Sequence, residues 1–255
     1  MLLLKIIIAP VLIGLVSLAG KKWGPGIAGW LLGLPLNAAP ILLFITIQQG
    51  RTFAAAAAYG SLLGLIAWAL FCLIYAICSP HCPWWASTLV GWVAYCAVGW
   101  ILLRVHLQAG WSFVLTVLAI TLIFFLFPLP GQERPFQARP KYELWLRMIT
   151  ATAMVVALTG VASQLGPQRS GILTVFPAFT TILAVFSHFQ SSASAVKVLR
   201  GVTLGLYTTS VFCVTLAVFL VRFNTLLAFT LSLAAASVVQ GMSLVFMRRG
   251  AKAQS

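Results

Sequence analysis

The chain is a succession of apolar runs, each about as long as a bilayer is thick, separated by short turns. Nine can be marked, over residues 3–19, 27–48, 53–77, 86–103, 111–128, 146–163, 170–189, 195–220 and 224–246. Hydrocarbon offers a backbone amide no hydrogen-bond partner. Runs of this length must therefore close their own hydrogen bonds and become helices. With 62% hydrophobic and 7% charged residues, a water-soluble fold of 255 residues is excluded. The expected fold is all-α: a polytopic membrane protein of about nine transmembrane helices. The first run also has the look of a signal peptide, ending in Ser17-Leu18-Ala19-Gly20. A retained helix is preferred, because Lys5 is a weak amino-terminal charge and residues 146–163 offer a counterpart.

The chain also contains itself twice. Gly24-Pro25, Gly29, Leu31, Pro35, Phe44 and Gln48 recur in order as Gly166-Pro167, Gly171, Leu173, Pro177, Phe186 and Gln190. After a one-residue slip, Gly60, Leu63, Gly64, Leu65, Phe71 and Cys72 recur as Gly201, Leu204, Gly205, Leu206, Phe212 and Cys213. Five spans precede the second copy's first helix, and an odd number sends the two copies into the membrane in opposite directions. The expectation is two inverted-topology repeats with a working site between them. Residues 1–129 make a first membrane repeat of five helices, and 130–145 a Pro-rich cytoplasmic linker. Residues 146–255 make a second repeat of four helices and a basic tail.

Lys and Arg orient the chain. One set of loops, with the tail, holds Lys21, Lys22, Arg134, Arg139, Lys141, Arg147, Lys197, Arg200, Arg248, Arg249 and Lys252. The other holds only Lys5, Arg51, Arg104, Arg169 and Arg222. The positive-inside rule puts the carboxyl terminus in the cytoplasm. The net charge of +14 then reflects topology and attraction to anionic membrane lipids. The charges are scattered over short loops, so nucleic acid is not an expected partner.

The second half resembles the GlpM-type small bacterial membrane proteins. A basic, polar turn is followed by Ser170-Gly171-Ile172-Leu173 and Val175-Phe176-Pro177-Ala178-Phe179-Thr180, with His188 further on. The first half is similar through Ala28-Gly29-Trp30-Leu31 and Gly33-Leu34-Pro35-Leu36. It departs at Asn37, where the second half has Phe179, and at Thr46, where it has His188. The resemblance implies a small bacterial inner-membrane protein and names no substrate. The plan of two inverted halves is also similar to drug/metabolite transporters, an analogy of architecture alone.

The repeated motif carries the candidate site. Pro25 suits a helix's first turn. Gly29 and Gly33 lie one turn apart on one face, where their lack of a side chain lets another helix approach; Gly171 is the second copy's counterpart. Pro35 and Pro177 each remove a backbone hydrogen bond and free a carbonyl one turn back. That carbonyl must find a partner or line a cavity. Asn37, Thr180 and Thr181 are near enough in sequence for either role. The expected substrate-binding set is Gly33, Pro35, Asn37, Pro177, Thr180 and Thr181. The competing reading of the same residues is a packing kink satisfied by neighbours. His188, Gln48 and Gln190 read as helix-end interface residues, as do Arg104 and His106.

The chain has no Asp, and its two acids, Glu133 and Glu143, lie in or beside the linker. A proton or sodium site built on membrane carboxylates is thereby excluded. So are Asp-rich metal motifs of membrane transferases. No catalytic residue, metal ligand or cofactor is expected, and the chain is not expected to be an enzyme. Cys78-Ser79-Pro80-His81-Cys82 leaves three readings open: no special role, a disulfide, or ligands of a metal.

The function expected is a transporter or permease for a small neutral or anionic solute. The alternative is a non-catalytic subunit or assembly factor of a larger inner-membrane complex, which would bring a partner protein. A homodimer suits the first reading.

Overall fold

The computed structural model describes residues 2–35, 38–102, 104, 109–129, 142–162 and 175–252. Among them there are ten helices and no strand. The first half supplies α1 (Leu2–Trp23), α2 (Pro25–Leu32), α3 (Ala38–Gln49), α4 (Arg51–Cys78), α5 (Trp84–Leu102) and α6 (Ala109–Phe125). The second supplies α7 (Tyr142–Ala162), α8 (Ala178–His188), α9 (Ser192–Arg222) and α10 (Thr225–Lys252). Four of them (α4, α5, the first 19 residues of α10, and α9) are long and apolar enough to cross a membrane. By length and composition this is a membrane protein.

The run 27–48 is two helices rather than one. The chain leaves α2 at Gly33 and begins α3 at Ala38, so the break falls on Pro35. Gly24 starts α2 at φ 95°, a left-handed conformation that glycine adopts without strain, and Pro25 follows as the first helical residue. The start of α4 uses the same device, Gly50 at φ 86°. The start of α9 uses another: Ser191 is extended, and its hydroxyl accepts the Ser194 N–H at 3.0 Å.

The core lies between α4 and α9, the copies of one repeat element. Phe71, Cys72, Phe212 and Cys213 are all fully buried there. The two helices run antiparallel. At one end Arg51 opens α4 and donates from Nη1 to the Phe223 carbonyl just beyond α9, at 3.0 Å. At the other, Tyr75 near the end of α4 meets His188 just before α9, Oη to Nδ1 at 3.3 Å. The copies α1 and α7 also pack together, and Arg147 in the first part of α7 reaches Ser17 late in α1. On the periphery, α5 packs on α4 as α10 packs on α9. Their outer faces are apolar, with Leu89, Val93, Leu226 and Val238 exposed. Exposed tryptophans cluster at helix ends: Trp23, Trp84, Trp85, Trp100, Trp111 and Trp145. From Trp84 to Trp100 along α5 is about 24 Å, the spacing of the two aromatic belts of a bilayer.

Two positions differ from the sequence expectation. α7 begins at Tyr142, so residues 142–145, expected as linker, are helical and Glu143 stands in its first turn. Arg147, expected in a cytoplasmic loop, is 2% exposed. The helix starts earlier than the apolar run does, which carries Arg147 inward against α1 and α8. Residues 130–141, with Glu133, lie outside the described residues.

Candidate functional site: two helix breaks

The first break is built from α2, α9 and α10. Gly29 and Gly33 face Val198, Val202 and Gly205, while Gly201 and Gly205 face Gly26, Trp30 and Gly33. The two backbones touch: a methyl group at Gly33 would overlap Gly205, and one at Gly205 would come within 2.7 Å of the Trp30 carbonyl oxygen. This is small-residue packing on both sides of one crossing.

The crossing brings partners to the carbonyls that the break releases. Thr209 donates its hydroxyl to the Gly33 carbonyl. Gln240 donates from Nε2 to the Trp30 carbonyl at 3.2 Å, and its Oε1 accepts the Thr208 hydroxyl. Trp30 Nε1 donates to Ser243 Oγ at 2.8 Å. The Leu31 carbonyl accepts the Leu34 N–H at 3.1 Å, and the Pro35 carbonyl accepts the Ala39 N–H at 2.8 Å, starting α3. Pro35 is buried. The Gly33 and Trp30 carbonyls are thus bonded by α9 and α10, and the Leu31 carbonyl, the one Pro35 frees, by its own turn. Asn37 and Gly171 lie outside the described residues.

The second break, at Val175–Pro177, is lined differently. Pro177 precedes α8, and its carbonyl accepts both the Thr181 N–H at 2.8 Å and the Thr181 hydroxyl at 2.7 Å. Trp92 of α5 donates from Nε1 to the same hydroxyl at 3.2 Å. Phe176 lies against two rings of α5, 5.8 Å from Trp92 and 5.2 Å from Tyr95. Among the described residues Thr180, fully buried, has no partner for its hydroxyl; elsewhere, on α4, the buried indole N–H of Trp68 has none either. Thr181 therefore serves its own break, by way of the Pro177 carbonyl.

Around these breaks lie the other polar groups. His188 is tied to Tyr75 by hydrogen bond and by an edge-on ring contact at 5.9 Å. Arg147 stands 5.0 Å over the Phe186 ring and donates to Ser17 Oγ at 3.3 Å. Gln48 is exposed, Gln190 is half-buried, and Arg104 is exposed over the Trp100 ring at 5.7 Å. His106 lies outside the described residues. Cys78 and Cys82 are free thiols, and among the described residues no three His, Cys, Asp or Glu side chains come together.

Residues missed from the sequence are Thr208, Thr209, Gln240 and Ser243 at the first break, Trp92 and Tyr95 at the second, and Arg147. Gln240 carried a signal, being an amide in the middle of an apolar run. The threonines did not, because a hydroxyl in such a helix is usually satisfied by its own preceding turn.

No protein-family model, curated protein or solved structure matches this chain.

Proposed function

We propose that this protein is a small transporter or permease of the bacterial inner membrane. It moves a small neutral or anionic solute through a site between two inverted repeats. The observation that carries this reading is the antiparallel packing of the repeat-equivalent helices α4 and α9, beside two proline breaks. Copies related in this way cross a bilayer in opposite senses. Discontinuous helices at corresponding positions of such copies are where transporters of this architecture hold their solutes. Irregular backbone at membrane depth is tolerated where protein buries it or where it borders a water-filled path, and the two breaks divide these roles unequally. The first is closed by Thr209 and Gln240, while at the second the buried Thr180 hydroxyl has no partner among the described residues. The alternative reading, a subunit of a larger complex, has no comparable observation behind it.

The test compares solutes inside and outside three strains: one lacking the protein, one carrying it, and one carrying Pro35→Ala with Pro177→Ala at equal membrane level. The expected result is a solute class whose distribution changes on deletion and is not restored by the double variant. Identical profiles in all three strains contradict the reading.

A further inference from the structure

Three stretches far apart in sequence bring their basic residues to one corner of the bundle. They are Lys21 and Lys22 at the end of α1, Lys197 and Arg200 in the first turns of α9, and Arg248 and Arg249 near the end of α10. Backbone contacts set the first two stretches together. A methyl group on Gly26, in the first turn of α2, would lie 3.9 Å from the Lys197 carbonyl oxygen. One on Gly201 would overlap the Gly26 carbonyl. Lys22 precedes Gly26 by four residues, across the turn at Gly24.

The third stretch is placed by register. Phe212 meets Phe229 with ring centres 6.3 Å apart, and Thr208 meets Gln240, so α9 and α10 run antiparallel. Eight residues back from Thr208 is Arg200, and eight on from Gln240 is Arg248. Both steps are about 12 Å along the helices, toward the same end of the bundle. Lys197 stands about three turns before Thr208 and shares the face of α9 on which α10 packs.

The gathering belongs to one copy alone. By the offset that relates Gly60 to Gly201, the counterparts of Lys197 and Arg200 in α4 are Ala56 and Tyr59. The chain's two acids, Glu133 and Glu143, lie in none of the three stretches. Like charges held together repel, and an anion among them relieves the repulsion. Apolar surface leads up to this corner from the membrane. On α1 the exposed Val11, Leu15 and Leu18 form one stripe, and Lys22 continues it one turn on. On α10 the exposed Val238 and Met242 share their face with position 249. The Lys22 ammonium stands 5.3 Å over the ring of Trp23, an exposed tryptophan of the kind that lies at headgroup level.

We infer that this corner binds an anionic phospholipid, with its phosphate among Lys22, Lys197 and Arg200 beside the end of α10, and its acyl chains along the stripes of α1 and α10. A free phosphate would use the cations and leave the stripes unused; the two together select a lipid. The corner is separate from the solute site proposed above, and the inference does not depend on transport.

The test reconstitutes the full chain in nanodiscs of equal parts phosphatidylglycerol and phosphatidylcholine. The protein is then released in the gas phase and the lipids it retains are identified by mass. The expected result is about tenfold retention of phosphatidylglycerol over phosphatidylcholine. Lys21→Gln, Lys22→Gln, Lys197→Gln and Arg200→Gln together should bring the ratio near one. Arg222→Gln, at the opposite end of α9, should leave it unchanged. Equal retention by the parent chain overturns the inference, and so does a preference that survives the fourfold variant. An equal loss with Arg222→Gln means general charge attraction and overturns the site. Because the fourfold variant can lose its fold, Lys21→Gln with Lys22→Gln, both exposed, is measured beside it. That pair should cut the ratio about threefold at an unchanged thermal midpoint. An unchanged ratio overturns the placement of the phosphate at Lys22. In detergent, short-chain phosphatidylglycerol should raise the thermal midpoint and inorganic phosphate at the same concentration should not. Equal rises would make free phosphate the ligand and overturn the lipid.

Discussion

Thr209 does for the Gly33 carbonyl what a continuous helix would have done with its own backbone. The proline at position 35 ends α2, and each carbonyl left behind in hydrocarbon needs a donor. Thr209→Val keeps the shape and removes the donor. The expected cost is about 1 kcal/mol, seen as a lower thermal midpoint in detergent. No change would mean that the carbonyl is served by water. Much of this was hidden in the sequence, where Thr209 reads as one more small residue in an apolar run. Pro35 and Pro177 announced the breaks because proline lacks an amide hydrogen anywhere. Which side chain answers each break depends on helices far away in the chain, and no local pattern encodes it.

At the scale of elements, the crossing of α2 on α9 depends on glycine at every contact point. Gly33 and Gly205 meet backbone to backbone, so even one added methyl has no neighbouring side chain to displace. Gly205→Ala must push α2 away from α9, and doing so also strains the Thr209 and Gln240 bonds. The expected loss is about 2 kcal/mol, exceeding that of Thr209→Val. Alanine at Gly110, which has open space around it, is the matched control and should cost far less. Near-equal losses at the two sites would contradict the crossing. The spacing of Gly29 and Gly33 displayed a packing face in the sequence, but not the partner. The helix edges were less legible. Arg147 follows a polar stretch and looks like loop, yet α7 starts at Tyr142 and carries it inside. A long side chain with an apolar stem tolerates this when a ring and a hydroxyl receive its head, as Phe186 and Ser17 do.

For the whole molecule, the governing relation is between the halves. In the sequence, the order of matched spacings reads as a duplication, and the count of apolar runs implies opposite directions for the two copies. The structure adds how the copies meet: α4 against α9, end to opposite end. That packing places the α3–α4 turn beside the α9–α10 turn, and the α4–α5 turn beside the α8–α9 turn. In a membrane, the first pair of turns then lies on one side and the second on the other.

The direct measurement is side-specific labelling of single cysteines in sealed vesicles with a membrane-impermeant thiol reagent. Gln49→Cys and Asn224→Cys report the first pair of turns; native Cys82 and Phe189→Cys report the second. The account predicts that Gln49→Cys and Asn224→Cys label from one face, and Cys82 and Phe189→Cys from the other, with the latter face cytoplasmic. If Gln49→Cys and Phe189→Cys, which stand at neighbouring positions of the two copies, label from the same face, the repeats are not inverted and the account fails.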